Sequence, residues 1–244
     1  MSDPRDESTV ALCITKAILL EKTSKSKEAL KAYKEGIEVL MGLVKHCTSD
    51  SKKSIYRGKA SDYLKRAEVL SKKIQAEEKR KQYREQKRIP LGAKGHSYEK
   101  IFGPYFTEEV RGIRVEDAYV RNNVQVLLFL QFCETAVRLC PNLVSIVLLT
   151  GHNNHKANEQ KQNLEQIRES LKESNVNLVL QFSETLHDRE IKLNTGWTFK
   201  IGRGLDFYKS VKNVFSIGTH DLELRECLET TIDIFHTDAV FKFT

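Results

Sequence analysis

The chain has 244 residues, 40% of them hydrophobic and 30% charged, with a net charge of +7, a balance adequate for a packed core and for solubility. No apolar run approaches the roughly 20 residues that span a bilayer, and the start, MSDPRDESTV, lacks the basic stretch and apolar centre of a secretory signal. Five cysteines (13, 47, 133, 140 and 227) form no Cys-x-x-Cys pair and leave one over, as expected of reduced thiols packed as small hydrophobes in an intracellular, cytosolic protein.

From Ser8 to Lys22, the residues Val10, Cys13, Ile14, Ala17 and Ile18 recur at intervals of three and four, one apolar face of a helix. Ser24 to Ser26 breaks the pattern and is expected to cap the next helix, where Leu30, Tyr33, Ile37, Leu40, Met41 and Val44 repeat the spacing. Thr48, Ser49 and Asp50 form a second break. In a third helix Tyr56, Ala60, Tyr63, Ala67, Leu70 and Ile74 share one stripe. Short connections between helices of this length imply an antiparallel three-helix bundle. Leu64 stands apart, because at 100° per residue it lies about 80° from the centre of that stripe. Ala60, Ala67 and Ser71, all small, border it, together with the charged Glu68. A large apolar residue in such a setting either widens the core contact or forms a groove for another helix.

Ala29, Tyr33, Ile37 and Leu40 of the second helix, with Tyr63-Leu64-Lys65-Arg66-Ala67-Glu68 of the third, resemble a MIT domain (microtubule interacting and trafficking). The resemblance implies that the groove between helices two and three binds the C-terminal helices of ESCRT-III subunits. Leu64 would then be the apolar anchor, Ala60, Ala67 and Ser71 the groove floor, and Glu68 the acceptor for a partner arginine. Lys65 stands where relatives often carry an acid.

Residues 1–95 carry a net +10 and residues 96–244 a net −3, and the 72–94 segment alone has nine basic and three acidic residues. Its stretch EEKRKQYREQKR (77–88) keeps helix formers without apolar period and is expected to prolong the third helix as a solvated rod until Pro90. The first domain is therefore expected over 7–88, a flexible linker with Gly92 and Gly95 over 89–96, and a second domain over 97–244. The basic run could attract acidic membrane or nucleic acid, or be no more than the outer half of a helix. Lacking interleaved aromatics, it suggests no nucleic-acid partner.

The second region alternates strands and helices. Strands are expected at 112–117 (GIRVED), 144–149 (VSIVLL), 176–182, 190–193, 198–201 and 230–235, with helices at 123–139 and 155–174. The fold class that follows is multidomain: an all-α bundle, then an α/β domain whose ligand loops follow strand ends. One such loop opens the stretch HDREIKLNTGWTFKIGRG, residues 187–204. A histidine, a nearby cation and a Gly202-Arg203-Gly204 turn suit phosphoryl chemistry: imidazole can attack phosphorus, a cation can hold its oxygens, and backbone amides can approach at glycine.

His187, Arg189 and Asn194 resemble the His-x-Lys-x4-Asp signature of the phospholipase D superfamily, with arginine for the lysine and asparagine for the aspartate. His236-Thr237-Asp238 has an acid where the cation belongs, so no intact second copy exists. Together with Gly-Trp-x-x-Lys-Ile-Gly-Arg-Gly-Leu-Asp and the domain in front, the motif resembles a family of MIT-domain proteins of cytokinesis. That resemblance implies an ESCRT-III-associated adaptor acting in abscission, peripheral on late endosomal and other membranes and recruited to the midbody. It also implies a phospholipase D-like domain that forms a homodimer and engages acidic or phosphoinositide lipid without hydrolysing it.

The residues allow two uses of the motif. As a nucleophile His187 would need a second histidine, which a symmetric homodimer could supply, leaving a single-motif phosphodiesterase as the alternative. Against catalysis, Arg189 cannot place a point charge as lysine does, and Asn194 cannot accept a proton. For binding, His187, Arg189, Lys200 and Arg203 could form a site for a phosphate or lipid head group. Arg189 could instead pair with Asp188 or Glu190. Cys133 and Cys140 share a helix without further ligands and read as packing, and Gly202-x-Gly204 is no dinucleotide fingerprint. No metal, cofactor or catalytic residue is expected.

Overall fold

A computed structural model describes residues 4–211 and 213–237, with backbone alone at residues 4–6 and at Lys81; Asp238 of the His236-Thr237-Asp238 stretch lies outside the described residues. The chain divides into two compact units, Met1–Arg80 and Lys81–Thr244. Among the described residues no helix is long and apolar enough to cross a membrane.

The first unit comprises α1 (Pro4–Lys22), α2 (Ser26–His46) and α3 (Asp50–Gln82). Its apolar spacings meet in one core, Val10, Ile14 and Ala17 from α1, Tyr33, Ile37 and Leu40 from α2, and Tyr56, Ala60, Ala67, Leu70 and Ile74 from α3. Glu21 of α1 ties the three helices together, accepting from the Tyr33 hydroxyl and from Arg66 Nε, each at 3.0 Å. The serines do not cap α2 as expected: Ser24 takes φ of 59° in the turn, and the cap position falls on Lys25 without a side-chain bond.

The charged 77–88 run does not continue as helix. α3 ends at Gln82, and β1 (Arg84–Ile89) pairs antiparallel with β7 (Thr230–His236), from Arg84 opposite Phe235 to Ile89 opposite Thr230. Tyr83 meets the Trp197 ring edge-on at 5.3 Å between centroids, and Ile89 is buried. Helix formers yield here because pairing with β7 satisfies the backbone in a sheet, and charged side chains are tolerated on an edge strand. Nor is 89–96 a flexible linker. Gly92 N–H donates to Cys227 O at 2.8 Å and Gly95 N–H to Glu223 O at 2.9 Å, with φ of 80° and 82° that glycine adopts without strain. The boundary thus falls near residue 80, and the second unit takes in residues assigned to the first domain and to the linker.

That unit is built on a seven-stranded sheet in the order β1-β7-β6-β5-β2-β3-β4. β2 (Gly112–Asp117), β3 (Ser145–Thr150) and β4 (Asn177–Phe182) run parallel, whereas β5 (Arg189–Leu193), β6 (Trp197–Ile201) and β7 pair antiparallel. α5 (Asn123–Leu139) joins β2 to β3 and α6 (Ala157–Glu173) joins β3 to β4. Both crossovers step in one direction, so their right-handedness puts both helices on one face. Phe129 and Phe132 of α5 and Leu164 and Ile167 of α6 share a core there with Ile113, Val115, Ile146 and Leu148. A short α4 (Tyr98–Phe102), not anticipated from the sequence, wedges Phe102 against Phe132 and Phe199 at 5.3 and 5.0 Å. Arg114, Glu116, Glu190, Lys192 and Lys200 alternate with the core residues and occupy the opposite, polar face.

Candidate functional site

The parallel strands end, and β5 begins, at one edge of this sheet. There Asp117 closes β2 directly opposite Arg189, the first residue of β5, and the turn after β6 brings Gly202 to Gly204 alongside. In open α/β sheets this carboxyl end is where ligands are usually held.

Asp117 is 3% exposed and organises the edge. Its carboxylate accepts from Tyr119 N–H and from Leu205 N–H, each at 3.0 Å. Gly204 has φ of 64°, and a Cβ there would strike the same carboxylate. Burial raises the Asp117 pKa above its ordinary value, although the two amides and Arg189 pull the other way.

Arg189 donates from Nη1 to Gly202 O at 2.6 Å and lays its guanidinium 4.2 Å from the Tyr119 ring centroid. Arg121 approaches the same ring at 5.1 Å while its Nε donates to Ala118 O at 2.6 Å. Gly151 leaves room for it, since a Cβ there would collide with the Arg121 guanidinium. Two guanidinium groups thus flank one ring that is 42% exposed, an arrangement that can present planar donors to phosphate. Beside them the His152 ring stacks on Phe182 at 4.6 Å, and His187 is exposed.

Of the four residues expected to act together, His187, Arg189 and Lys200 line one shallow depression, and Arg203 does not. Lys200 lies on the polar face and pairs with Glu190 at 2.5 Å; Glu190 also meets Lys192 at 2.9 Å, and a ladder continues through Glu116 to Arg114. Burial pushes the Glu190 carboxyl up, but Lys200 and Lys192 outweigh it and hold it below its ordinary value. The depression that Lys200 shares with His187 and Arg189 is also lined by Asp188, Glu190 and Asp233, carboxylates that offset its attraction for an anion. Arg203 turns away and donates to Glu229 O at 3.0 Å. Arg189 pairs with neither Asp188 nor Glu190, because strand alternation sends it to the helix-covered face opposite Asp117.

Asn194 belongs to a different part of the domain. It lies just past the far end of β5, where its Oδ1 accepts from Arg111 N–H at 2.8 Å and Gly112 N–H at 3.1 Å, anchoring the entry to β2. It therefore takes no part in a site with His187 and Arg189. His236, at the end of β7, packs edge-on against Trp197 at 5.2 Å and meets Thr195 O at 2.8 Å. Tyr119 and Arg121 escaped the sequence reading, although their place immediately after the GIRVED strand is the signal that could have found them. Among the described residues no group of three or more His, Cys, Asp or Glu is placed to hold a metal ion.

In the helical unit Leu64 is 45% exposed, and Glu68 is also exposed, whereas Ala60 and Ala67 are 3% and 6% exposed. The two alanines are core residues covered by the bundle itself, so the accessible flank consists of Leu64, Glu68 and the partly buried Ser71. Its side of α3 is fixed by ion pairs. Arg66, on the opposite flank of the core stripe, meets Glu21 of α1, while Glu78 meets Lys27 of α2 at 2.6 Å. The Leu64 flank therefore borders α2.

Two family descriptions match the chain: the MIT (microtubule interacting and transport) domain over residues 11–72, and the phospholipase D-like domain at the C-terminus of MIT over residues 95–236. The mouse (Mus musculus) protein MIT domain-containing protein 1 is 40% identical over 238 residues, which cover 97% of this chain and 96% of that relative. With a three-helix bundle over the first match and an α/β sheet over the second, the chain belongs to the family of MIT-domain proteins that carry a phospholipase D-like domain at the C-terminus.

Proposed function

We propose that this chain is an adaptor in which the MIT unit captures C-terminal helices of ESCRT-III subunits. In the same proposal, the phospholipase D-like unit self-associates and holds acidic phospholipid, phosphoinositides included, without cutting it. The observation that carries the first half is Leu64, a large apolar side chain left 45% exposed on the α3 flank that borders α2, with exposed Glu68 one turn on. A partner helix can bury its own apolar residues against Leu64 and offer a cation to Glu68. Pairing two chains through the second unit doubles the grooves, so modest single-site affinity becomes avidity. In that role the chain works peripherally at late endosomal and other membranes and, during abscission, at the midbody.

The lipid half rests on Arg121 and Arg189, whose guanidinium groups flank Tyr119 at the sheet edge. A binding rather than catalytic role is supported by the same edge. Arg189 is engaged with Gly202 O, His187 has no hydrogen-bond partner among the described residues, and Asn194 is committed to the backbone at the other end of β5.

Fluorescence titration with ESCRT-III C-terminal peptides tests the groove. Leu64→Asp should weaken binding by on the order of tenfold or more, and unaltered affinity would remove the groove. Sedimentation with phosphoinositide vesicles tests the second unit: Arg121→Glu with Arg189→Glu should release the protein, and full retention would shift the lipid contact to the basic 72–94 segment. Phosphodiesterase turnover that His187→Ala abolishes would replace the adaptor with an enzyme acting as a symmetric homodimer.

A further inference from the structure

Between β6 and β7 the chain passes through an irregular segment whose tip presents large apolar side chains to solvent. Phe215 is 95% exposed, Ile217 87% and Val214 66%, and Leu224 beside them is 47% exposed. Among the described residues no other Phe, Tyr or Trp ring is left as bare. The tip is nonetheless built. Phe215 N–H donates to Asn213 Oδ1 at 2.9 Å, Ser216 N–H to Asn213 O at 3.1 Å and Thr219 N–H to Ser216 O at 3.1 Å. The Thr219 hydroxyl donates to Ser216 O at 2.7 Å. Arg225, partly buried, closes the base by donating to the carbonyls of Gly218, at 2.6 Å, and Thr219. Gly218, at φ of 87°, permits that approach, with the Arg225 backbone 3.2 Å from where a Cβ would stand. These bonds tie Asn213, Phe215, Ser216, Gly218, Thr219 and Arg225 to one another, and the apolar side chains face out.

Exposed apolar groups gathered in this way mark a binding surface. A protein partner fits poorly. Three side chains at roughly 150 Å² apiece give about half of the ~800 Å² that each side of a standard interface buries. Such interfaces also rely on hydrogen bonds across the contact, and the side chains at the leading positions, Val214, Phe215 and Ile217, offer none. A bilayer asks for less: apolar side chains that enter the acyl boundary from a backbone held at the level of the head groups.

We infer that residues 213–219 form an apolar wedge that inserts into the interfacial layer of a phospholipid bilayer, with Phe215 and Ile217 as its leading side chains. The inference rests on the membrane role proposed for this unit and adds a component that is not electrostatic. Lys209, at the base of the segment, is already paired with Glu226 at 2.7 Å. Attachment through the wedge therefore persists in salt, whereas guanidinium contacts to phosphate are screened.

The test is sedimentation of the full chain with phosphatidylcholine vesicles containing phosphatidylserine, at physiological and at high salt. Phe215→Ser and Ile217→Ser should each lower the partition coefficient by on the order of tenfold and abolish the salt-resistant fraction. Both positions are solvent-exposed, so thermal unfolding should be unchanged. As a second readout, Phe215→Trp should gain blue-shifted emission on vesicles and be quenched by brominated acyl chains. If the wild-type chain binds vesicles and the Phe215→Ser/Ile217→Ser variant binds equally well, the wedge is wrong and the guanidinium contact stands. If the wild-type chain ignores vesicles altogether, the membrane role falls and the wedge with it. Loss of self-association in the double variant without loss of vesicle binding would instead make the tip an interface between copies.

Discussion

In the helical unit the surface proposed to hold a partner lies on one element. Leu64, Glu68 and Ser71 are neighbours on α3, and their direction follows from the rotation that also sets the core stripe. In the α/β unit the proposed site is assembled from strand ends far apart in sequence, Tyr119 and Arg121 after β2, Arg189 at the start of β5 and Gly202 after β6. Helical periodicity carries side-chain direction along the chain with few assumptions. A sheet edge depends on strand order and register, and one residue of shift moves a side chain to the other face. Arg189 and Lys200 illustrate this. Both line one depression, yet alternation and the β5–β6 register direct Arg189 to the Tyr119 ring and Lys200 to Glu190 on the other face.

The largest effect expected from breaking this comparison is at Gly204. Gly204→Val forces a Cβ into the Asp117 carboxylate at a left-handed φ and should destabilise the α/β unit by about 3 kcal/mol or more, read by thermal unfolding. A change of only a few tenths would mean that the edge is not assembled around Asp117. Asn194→Ala comes next. It leaves the amides of Arg111 and Gly112 without their acceptor and should cost about 2 kcal/mol, while vesicle binding stays intact. Arg121→Ala should do the opposite, lowering vesicle binding with little change in stability. Equal losses of vesicle binding in the two variants would reunite Asn194 with the site.

The smallest effect is expected on the polar face. Glu190→Gln removes the acceptor shared by Lys192 and Lys200 and should cost on the order of 1 kcal/mol at neutral pH. Because the folded-state pKa of Glu190 is depressed, its stabilisation is full above the unfolded value of 4.5 and fades as pH falls through the folded value. The gap between wild type and variant should therefore close on acidification. Asp117 runs the other way, its raised pKa making ionisation unfavourable to the fold as pH rises from 3.8. A gap that widens in acid would show that Glu190 is not held ionised by its lysines.

Much of the fold was legible. The apolar repeats of α1, α2 and α3, and the runs that became β2, β3, α5 and α6, fell where their periodicities put them. The failures have a common cause. REQKRI reads as helix because its residues favour helices, but β7 offers it a ladder and Trp197 receives Tyr83 at its start. The exposed Phe215 tip left no periodic signal, since an irregular loop has no repeat from which exposure can be read. Helical spacing puts Ala60 and Ala67 next to Leu64, but that the bundle covers them, and so removes them from an accessible groove floor, depends on the neighbouring helices.

By itself the sequence determined the two kinds of unit, the place of Leu64 at the flank of its helix's apolar stripe, and the loop before β5 that carries the phospholipase D-like motif. These follow from local rotation along a helix, alternation along a strand and the chemistry of short motifs. Only the tertiary structure decided that Arg121 joins Arg189, that Asn194 lies apart from them, that Lys200 pairs with Glu190, and that the boundary falls near residue 80. Those outcomes depend on which strands become neighbours and in what register, a choice made by burial of the whole core rather than by any segment alone.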